Sequence, residues 1–586
     1  MLGLRSIFLS LTLIYATGTL SAQSDEPVVA QSSADVFKIN ARTVVEDVVV
    51  QDKNGAAVPG LRKEDFQIFE DGKPQIITFF EPNSPGTGVA IPSPALPPNT
   101  FTNVPTVAPN QAINVLLMDA LNTPSSDQMY VHLQMVKYLA SLPTDVRIGV
   151  FMLSERLHLI QGVTQDSNTL RAAIARFAAR PSPSVLLASA ARTQAQDSLV
   201  SMTKQMADDT QSAQLSDSAK GLRDFLDEES QVEAHAQLLI TLNSLQVLAH
   251  YLAGIPGRKN LIWFVGDIPI CPPTGCPYGD LYHETQVMLA AARVSVYPIG
   301  ATGVEAPGDA ADNSSKNSTT YSDLLTAQTS AIQVDNKDRG FRHINMDIWA
   351  EETGGKARYD TNGLKDALAD DVESGSRFYT IAYVPTNGKE VGRERKISVK
   401  IPSGEYSLFY RRSYFEQTAK QIKAAKSAPV QDPLRPLMDR GMPSSTEIAY
   451  RLKVVPAAVQ PDAGAARAGE NAQLTGKLTR YTVGFQLPAG SLSLIPDADG
   501  ARRRPMEVAL VVYSHDGKPL NWEVRNIGLL IKPDEWGMAL KAGIPFHVDI
   551  DAPPGDVYLR AGVYDRMLRK SGTLEIPLSA VTAAKK

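Results

Sequence analysis

The run Ile113-Asn-Val-Leu-Leu-Met-Asp119, followed by Ala-Leu-Asn-Thr123, constrains the fold more than any other stretch of the chain. Val115 to Met118 reads as a strand buried on both faces, the environment found inside a parallel sheet. Asp119 closes the run, and Asp119, Leu121 and Thr123 alternate through the turn that leaves it. In an open α/β sheet that turn lies at the carboxyl end of the strand, where ligands bind. A carboxylate with a nearby hydroxyl suits a hard cation such as Mg²⁺, which takes oxygen ligands. A buried strand followed by an ordinary helix cap accounts for the same five residues, so the rest of the chain must decide.

That pattern repeats downstream. A helix is expected from about Ser125 to Leu142, a strand over Val146 to Leu153 and a helix over Asp166 to Arg180. A long helix from about Val232 to Ala253 stops at Gly254 and Pro256. Leu261-Ile-Trp-Phe-Val265 and Val294 to Ile299 are further buried strands, with helices over Tyr282 to Arg293, Asn345 to Thr353 and Leu364 to Ser374. Phe378 to Val384 is the strand that follows. Strands alternating with helices over this length argue for a doubly wound, mostly parallel α/β sheet over residues 111–415. Two polar stretches, 181–231 and 301–340, lack a core pattern and read as insertions.

The flanks differ. Residues 36–82 carry short β-prone runs, an Asn54-Gly55 turn and an Asp71-Gly72 turn, which imply a small β-sandwich-like domain. Residues 83–110 are a Pro-rich linker, and 416–445 are a second, basic linker. From 446 to 582 six β-prone runs separated by turn signals imply a β-sandwich domain. At 586 residues the chain is too long for one core, which fits this division. The tail after 582 reads as disordered.

Residues 1–22 resemble a signal peptide: Arg5 is the only early charge, Ile7 to Tyr15 is a short apolar core, and small residues lead to a cleavage position after Ala22. The expected product is exported: periplasmic, secreted or at the cell surface, with no transmembrane segment after signal removal. A net charge of −5 at this length gives no reason to expect a nucleic-acid partner. Cys271 and Cys276, the only cysteines, are expected to form one local disulfide in that setting.

With these elements in place a resemblance emerges. Asp119-Ala-Leu-Asn-Thr123 after a buried strand resembles the first motif of von Willebrand factor A-type (VWFA) domains. Pro256-Gly-Arg-Lys-Asn-Leu-Ile-Trp263, Glu351-Glu-Thr-Gly-Gly355, Val58 to Phe66 and Glu70-Asp-Gly72 together resemble the VWFA-related family named from acidobacterial proteins. The resemblance covers roughly residues 36 to 415. It implies a Rossmann-like, VWFA-like sheet used for adhesion or protein binding. A partner protein would dock at the sheet's carboxyl edge through a shared divalent cation. Such a metal-ion-dependent adhesion site takes an Asp-x-Ser-x-Ser motif, a threonine from a second loop and an aspartate from a third.

The match is partial. Asp119 and Thr123 fit the first and last ligands of the first motif, but Leu121 replaces the middle serine and Asn122 lies one position off, on the partner-binding edge. In the second loop Leu239 falls where the threonine belongs, with Thr241 offset. In the third, Gly266 falls where the aspartate belongs, with Asp267 one later. The expected metal set is therefore Asp119, Thr123, Thr241 and Asp267, and the departures point to a degenerate site without a certain cofactor. No catalytic grouping stands out: the eight histidines show no H-x-x-x-H or H-E-x-x-H spacing. The main expectation is a non-enzymatic binding or adhesion module. The alternatives are a metal-assisted hydrolase using Asp119 and Asp267, or an inert envelope scaffold.

Overall fold

Val44–Gln51 is rich in β-branched residues and forms the first strand, β1. The computed structural model describes residues 43–85, 96–104, 112–142, 146–178, 213–268, 278–302, 340–386, 394–415, 434–461, 467–492 and 494–582. The expected signal peptide and the cysteine pair lie outside these residues, as do most of both expected insertions.

After β1 come β2 (Gln67–Glu70), β3 (Lys73–Gln75), β4 (Ile77–Asn83) and β5 (Thr100–Thr102). The central sheet then begins with β6 (Ile113–Asp119), followed by helix α1 (Ser125–Ala140), β7 (Ile148–Leu153), β8 (Leu157–Thr164) and α2 (Ser167–Ala178). Helix α3 (Ala213–Ala253) spans 41 residues, so residues 213–231 of the stretch read as an insertion continue the long helix expected only from Val232. Next are β9 (Lys259–Val265), α4 (Gly279–Ala291), β10 (Val294–Gly300), helix α5 over 340–353, and α6 (Leu364–Gly375).

The central sheet has the order β10-β9-β6-β7-β8, parallel throughout except for the antiparallel edge strand β8. Leu116, Ile262 and Tyr297 pack on one face with α1, α2 and α6. Leu117, Trp263 and Val296 pack on the other with α3, α4 and α5. Every residue of β9 and β10 is buried, which explains why these strands carry no polar alternation.

The next strands depart from expectation. Phe378–Tyr383 (β11) was expected to follow α6 into the central sheet, but it runs antiparallel between β1 and β4. Strands β12 (Glu394–Lys400), β13 (Ser407–Phe409) and β14 (Ser413–Phe415) complete two four-stranded sheets, β13-β1-β11-β4 and β14-β12-β2-β3. Val48, Ile68, Ile381 and Val399 meet in one apolar cluster between them. Residues before and after the α/β unit thus build one β unit, so residues 36–82 are not a domain by themselves and the α/β unit does not extend to 415. A short, wholly buried run such as Phe378–Tyr383, without apolar–polar alternation, cannot announce its partners by periodicity.

The C-terminal part follows the same lesson. It contains α7 (Arg435–Met438) and strands β15 (Arg451–Pro456), β16 (Thr479–Leu487), β17 (Arg502–Ser514) and β18 (Pro519–Ile531). Helix α8 (Trp536–Ala542), β19 (Ile544–Ala552), β20 (Val557–Asp565) and β21 (Lys570–Pro577) complete it. Its sheets are β19-β16-β15-β5 and β18-β17-β20-β21, sharing one core. Both stretches read as linkers contribute: β5 pairs with β15, and Leu434 and Met438 pack on Ala509 and Tyr564.

Polar joints fix the α/β unit to its neighbours. Toward the first β unit, Asp47 on β1 accepts from Arg293 Nε at 2.9 Å and Thr380 Oγ1 at 2.8 Å, and Arg293 Nη2 also bonds it. Buried Arg258 donates to the Asp47 carbonyl (3.0 Å), the Tyr297 hydroxyl (2.9 Å) and the Gly354 carbonyl (2.9 Å). Burial opposes ionisation of Asp47, but Arg293 and Arg258 outweigh it and hold the carboxyl below its ordinary value. A depressed folded value means that this carboxylate stabilises the fold above the unfolded value of about 4, and that the contribution is lost as pH falls through the folded value. Asp47→Asn is therefore expected to cost about 2 kcal/mol at neutral pH. Chemical denaturation of variant and wild type at stepped pH should show the gap closing below about pH 4; a gap constant down to pH 2 would refute the assignment.

Candidate functional site

Asp119 sits at the carboxyl end of the middle strand, and β6 turns immediately toward α1. Its carboxylate is 2% exposed and fully engaged. The backbone N–H groups of Leu121 and Asn122 donate to Oδ1 at 3.1 and 2.9 Å. The Asn122 amide donates to Oδ2 at 2.8 Å and the Trp263 indole N–H to the same oxygen at 2.9 Å. Burial pushes the carboxyl up to about 6, while these donors favour its charged form and pull the other way.

The other expected ligands gather around it unevenly. Thr241, buried on α3, accepts from the Asn122 amide at 3.0 Å, so one amide group bridges Asp119 and Thr241. Thr123 is buried, and its Oγ1 accepts the Gly266 N–H at 3.0 Å. Asp267 has an exposed side chain, and its N–H donates to the Asn122 carbonyl at 3.0 Å. Leu121 is buried and offers no oxygen. The set Asp119, Asn122, Thr123 and Thr241 is thus brought together, and the Asp267 backbone N–H ties that residue to the same loop.

This donor set does not fit a divalent cation. A hard cation needs free oxygen lone pairs directed at one point, whereas here N–H groups occupy both carboxylate oxygens and an amide –NH₂ stands between Asp119 and Thr241. Position 266 argues the same way. A β-carbon there would lie 2.8 Å from Pro124 Cδ and 3.0 Å from the Asn122 carbonyl oxygen. The loop after β6 has closed on the third-loop position, leaving no space for an aspartate. Among the described residues no group of three His, Cys, Asp or Glu side chains could hold a metal ion.

Sequence reasoning missed Trp263. It was visible within the Pro256–Trp263 motif, but only the register of β9 on β6, with Trp263 beside Leu117, directs its N–H to Asp119. A buried indole that must find an acceptor was the available signal.

Beside this cluster the carboxyl edge continues over the ends of β9 and β10. A small cavity is lined by Gly266, Thr302, Arg342, His343 and Tyr359. The His343 ring stacks on Tyr359 with centroids 3.8 Å apart, and Nε2 lies 3.7 Å from Asp360 Oδ1. On the first turn of α5, Phe341 and Ile344 are 52% and 54% exposed, and helical spacing places them on one face.

No family model and no curated protein matches the chain. Solved structures give partial likenesses. An aerotolerance-related membrane protein from Bacteroides fragilis is 10% identical, with 44% of this chain and 98% of that chain covered and a TM-score of 0.23. The pilus adhesin SpaC from Lactobacillus rhamnosus GG is 8% identical, covering 86% and 58%, with a TM-score of 0.23. Proximal thread matrix protein 1 from the mussel byssus is 12% identical, covering 46% and 48%, with a TM-score of 0.21. Among the described residues no helix is long and apolar enough to cross a membrane.

Proposed function

We propose that the chain is an exported, non-enzymatic protein-binding or adhesion module. In this reading a VWFA-like Rossmann domain, held between β-sandwich domains, carries a degenerate metal-ion-dependent adhesion site. A partner protein docks on the carboxyl edge without a bridging cation. The observation that carries the reading is the saturation of Asp119 by four N–H donors, which do for the carboxylate what a cation would otherwise do. The aromatic and apolar side chains beside it, Phe341, Ile344 and Tyr359, give the edge the composition of a protein contact surface. Export rests on the leader-like pattern of residues 1–22.

Calorimetric titration of the purified protein with Mg²⁺, Ca²⁺ and Mn²⁺ is expected to give no saturable heat. Cross-linking capture from envelope extracts is expected to yield a protein retained equally with and without EDTA and lost with Phe341→Asp or Ile344→Asp. Saturable metal binding abolished by Asp119→Ala would overturn the metal-free reading. Capture indifferent to both edge substitutions would overturn the docking face.

A further inference from the structure

A second cleft, of about 140 Å³, lies where α5 faces the strand β13 and the turn after it. It shares no residue with the carboxyl-edge cavity. One wall carries Asp347 and Glu351, one helical turn apart on α5. The other carries Lys356 and Arg412 with the rings of Phe409 and Tyr410. The Lys356 ammonium stands over the Phe409 ring, 5.4 Å from its centroid. Arg412 lies over Tyr410 at 4.3 Å and donates to its hydroxyl at 2.6 Å.

Charges of both signs therefore line one small space without pairing across it. Among the described residues Lys356 has no hydrogen-bond acceptor and no salt bridge, because the nearby Asp370 and Asp371 are engaged by Arg358. Glu351 has no side-chain donor, and Asp347 has only a long contact with the Tyr359 hydroxyl at 3.5 Å. Burial, then the neighbouring Glu351, raise the Asp347 carboxyl above its ordinary value, and burial, then Arg358, lower the Lys356 amine. Each group gains from a partner of opposite charge within reach. The space is well short of a drug-sized pocket and has room for one residue-sized group. Its remaining lining, Ala350, Gly355 and Ala357, is small and apolar.

We propose that this cleft binds a free α-amino acid with a short apolar side chain. The carboxylate meets Lys356, the ammonium lies between Asp347 and Glu351, and the side chain rests against the alanines and the Phe409 ring. The site is independent of the carboxyl-edge reading and stands or falls without it.

The test is calorimetric titration of the full chain with alanine, valine and leucine, beside N-acetylvaline and valinamide, each of which lacks one of the two charges. At least one free amino acid is expected to bind saturably. Blocking either end, or introducing Lys356→Gln or Glu351→Gln, is expected to weaken it at least about tenfold, the value of one charge-assisted hydrogen bond. Glu351 is exposed and Lys356 half-buried, and neither makes a side-chain salt bridge among the described residues, so thermal midpoints should match wild type and separate lost binding from lost folding. Absence of saturable heat from all three amino acids at millimolar concentration overturns the proposal. So does equal binding by the blocked analogues, or binding unchanged in both variants.

Discussion

Asp119→Ala is expected to destabilise the protein by about 4 kcal/mol, and by the same amount in EDTA as in millimolar Mg²⁺. The substitution removes an acceptor shared by four donors. Two of them keep another partner: Leu121 N–H also reaches the Leu153 carbonyl at 3.2 Å, and the Asn122 amide keeps Thr241. The Trp263 indole and the Asn122 backbone N–H are left buried without an acceptor, at about 1–3 kcal/mol each. Asp119→Asn should be nearly as damaging, because its amide would turn a third N–H donor toward Trp263 and Asn122. Denaturant melts of both variants check this. A loss that appears only when Mg²⁺ is present would mean that Asp119 serves a cation rather than the loop, and would refute the hydrogen-bonded account.

Gly254→Ala is expected to unseat the C-terminal β unit. The glycine ends α3, and a β-carbon there would fall 1.8 Å from the Thr446 carbonyl oxygen, a backbone atom that cannot swing away. The same approach lets Ser445 and Thr446 hydroxyls donate to the His250 and Tyr251 carbonyls at 3.2 and 2.8 Å, capping the end of the helix. His250 and Ser571 meet Glu447 at the same joint. Relieving the overlap means losing these bonds together, about 4 kcal/mol of docking. Scanning calorimetry should resolve two transitions where the wild type gives one, and limited proteolysis should cut near residue 445 in the variant only. A single wild-type-like transition would show that the joint yields without separating.

The sequence carried the central sheet well because its strands are long apolar runs ended by Asp119, Gly266 and Gly300, and the flanking helices have clear stops such as Gly254. It could not assign β11 or β5. Phe378–Tyr383 has no alternation, so nothing local says that its neighbours are β1 and β4, and Thr100–Thr102 is too short to rise above its Pro-rich surroundings. At the site, matching positions to a motif identified Asp119, Thr123 and the offset Thr241 but not what they do. Their roles depend on donors from three elements, Asn122, Trp263 and Gly266, that only tertiary structure brings together. The departures from the motif at Leu121 and Gly266 were legible; that the Trp263 indole donates to Asp119 depends on strand register and was not.

The division of the first β unit has a consequence for how the chain comes to be. Asn83 on β4 bonds Thr380 on β11, a partner 297 positions later in the sequence. During synthesis β1 to β4 emerge with only the β2–β3 pairing available to them and one apolar face unserved, and remain so until the whole α/β unit has followed. The inserted unit must therefore fold first and act as the clamp that brings the two halves together, because closing so long a loop by diffusion alone is slow. A chain stalled before residue 378 would present bare strand edges, the kind of surface on which chaperones act and aggregates begin.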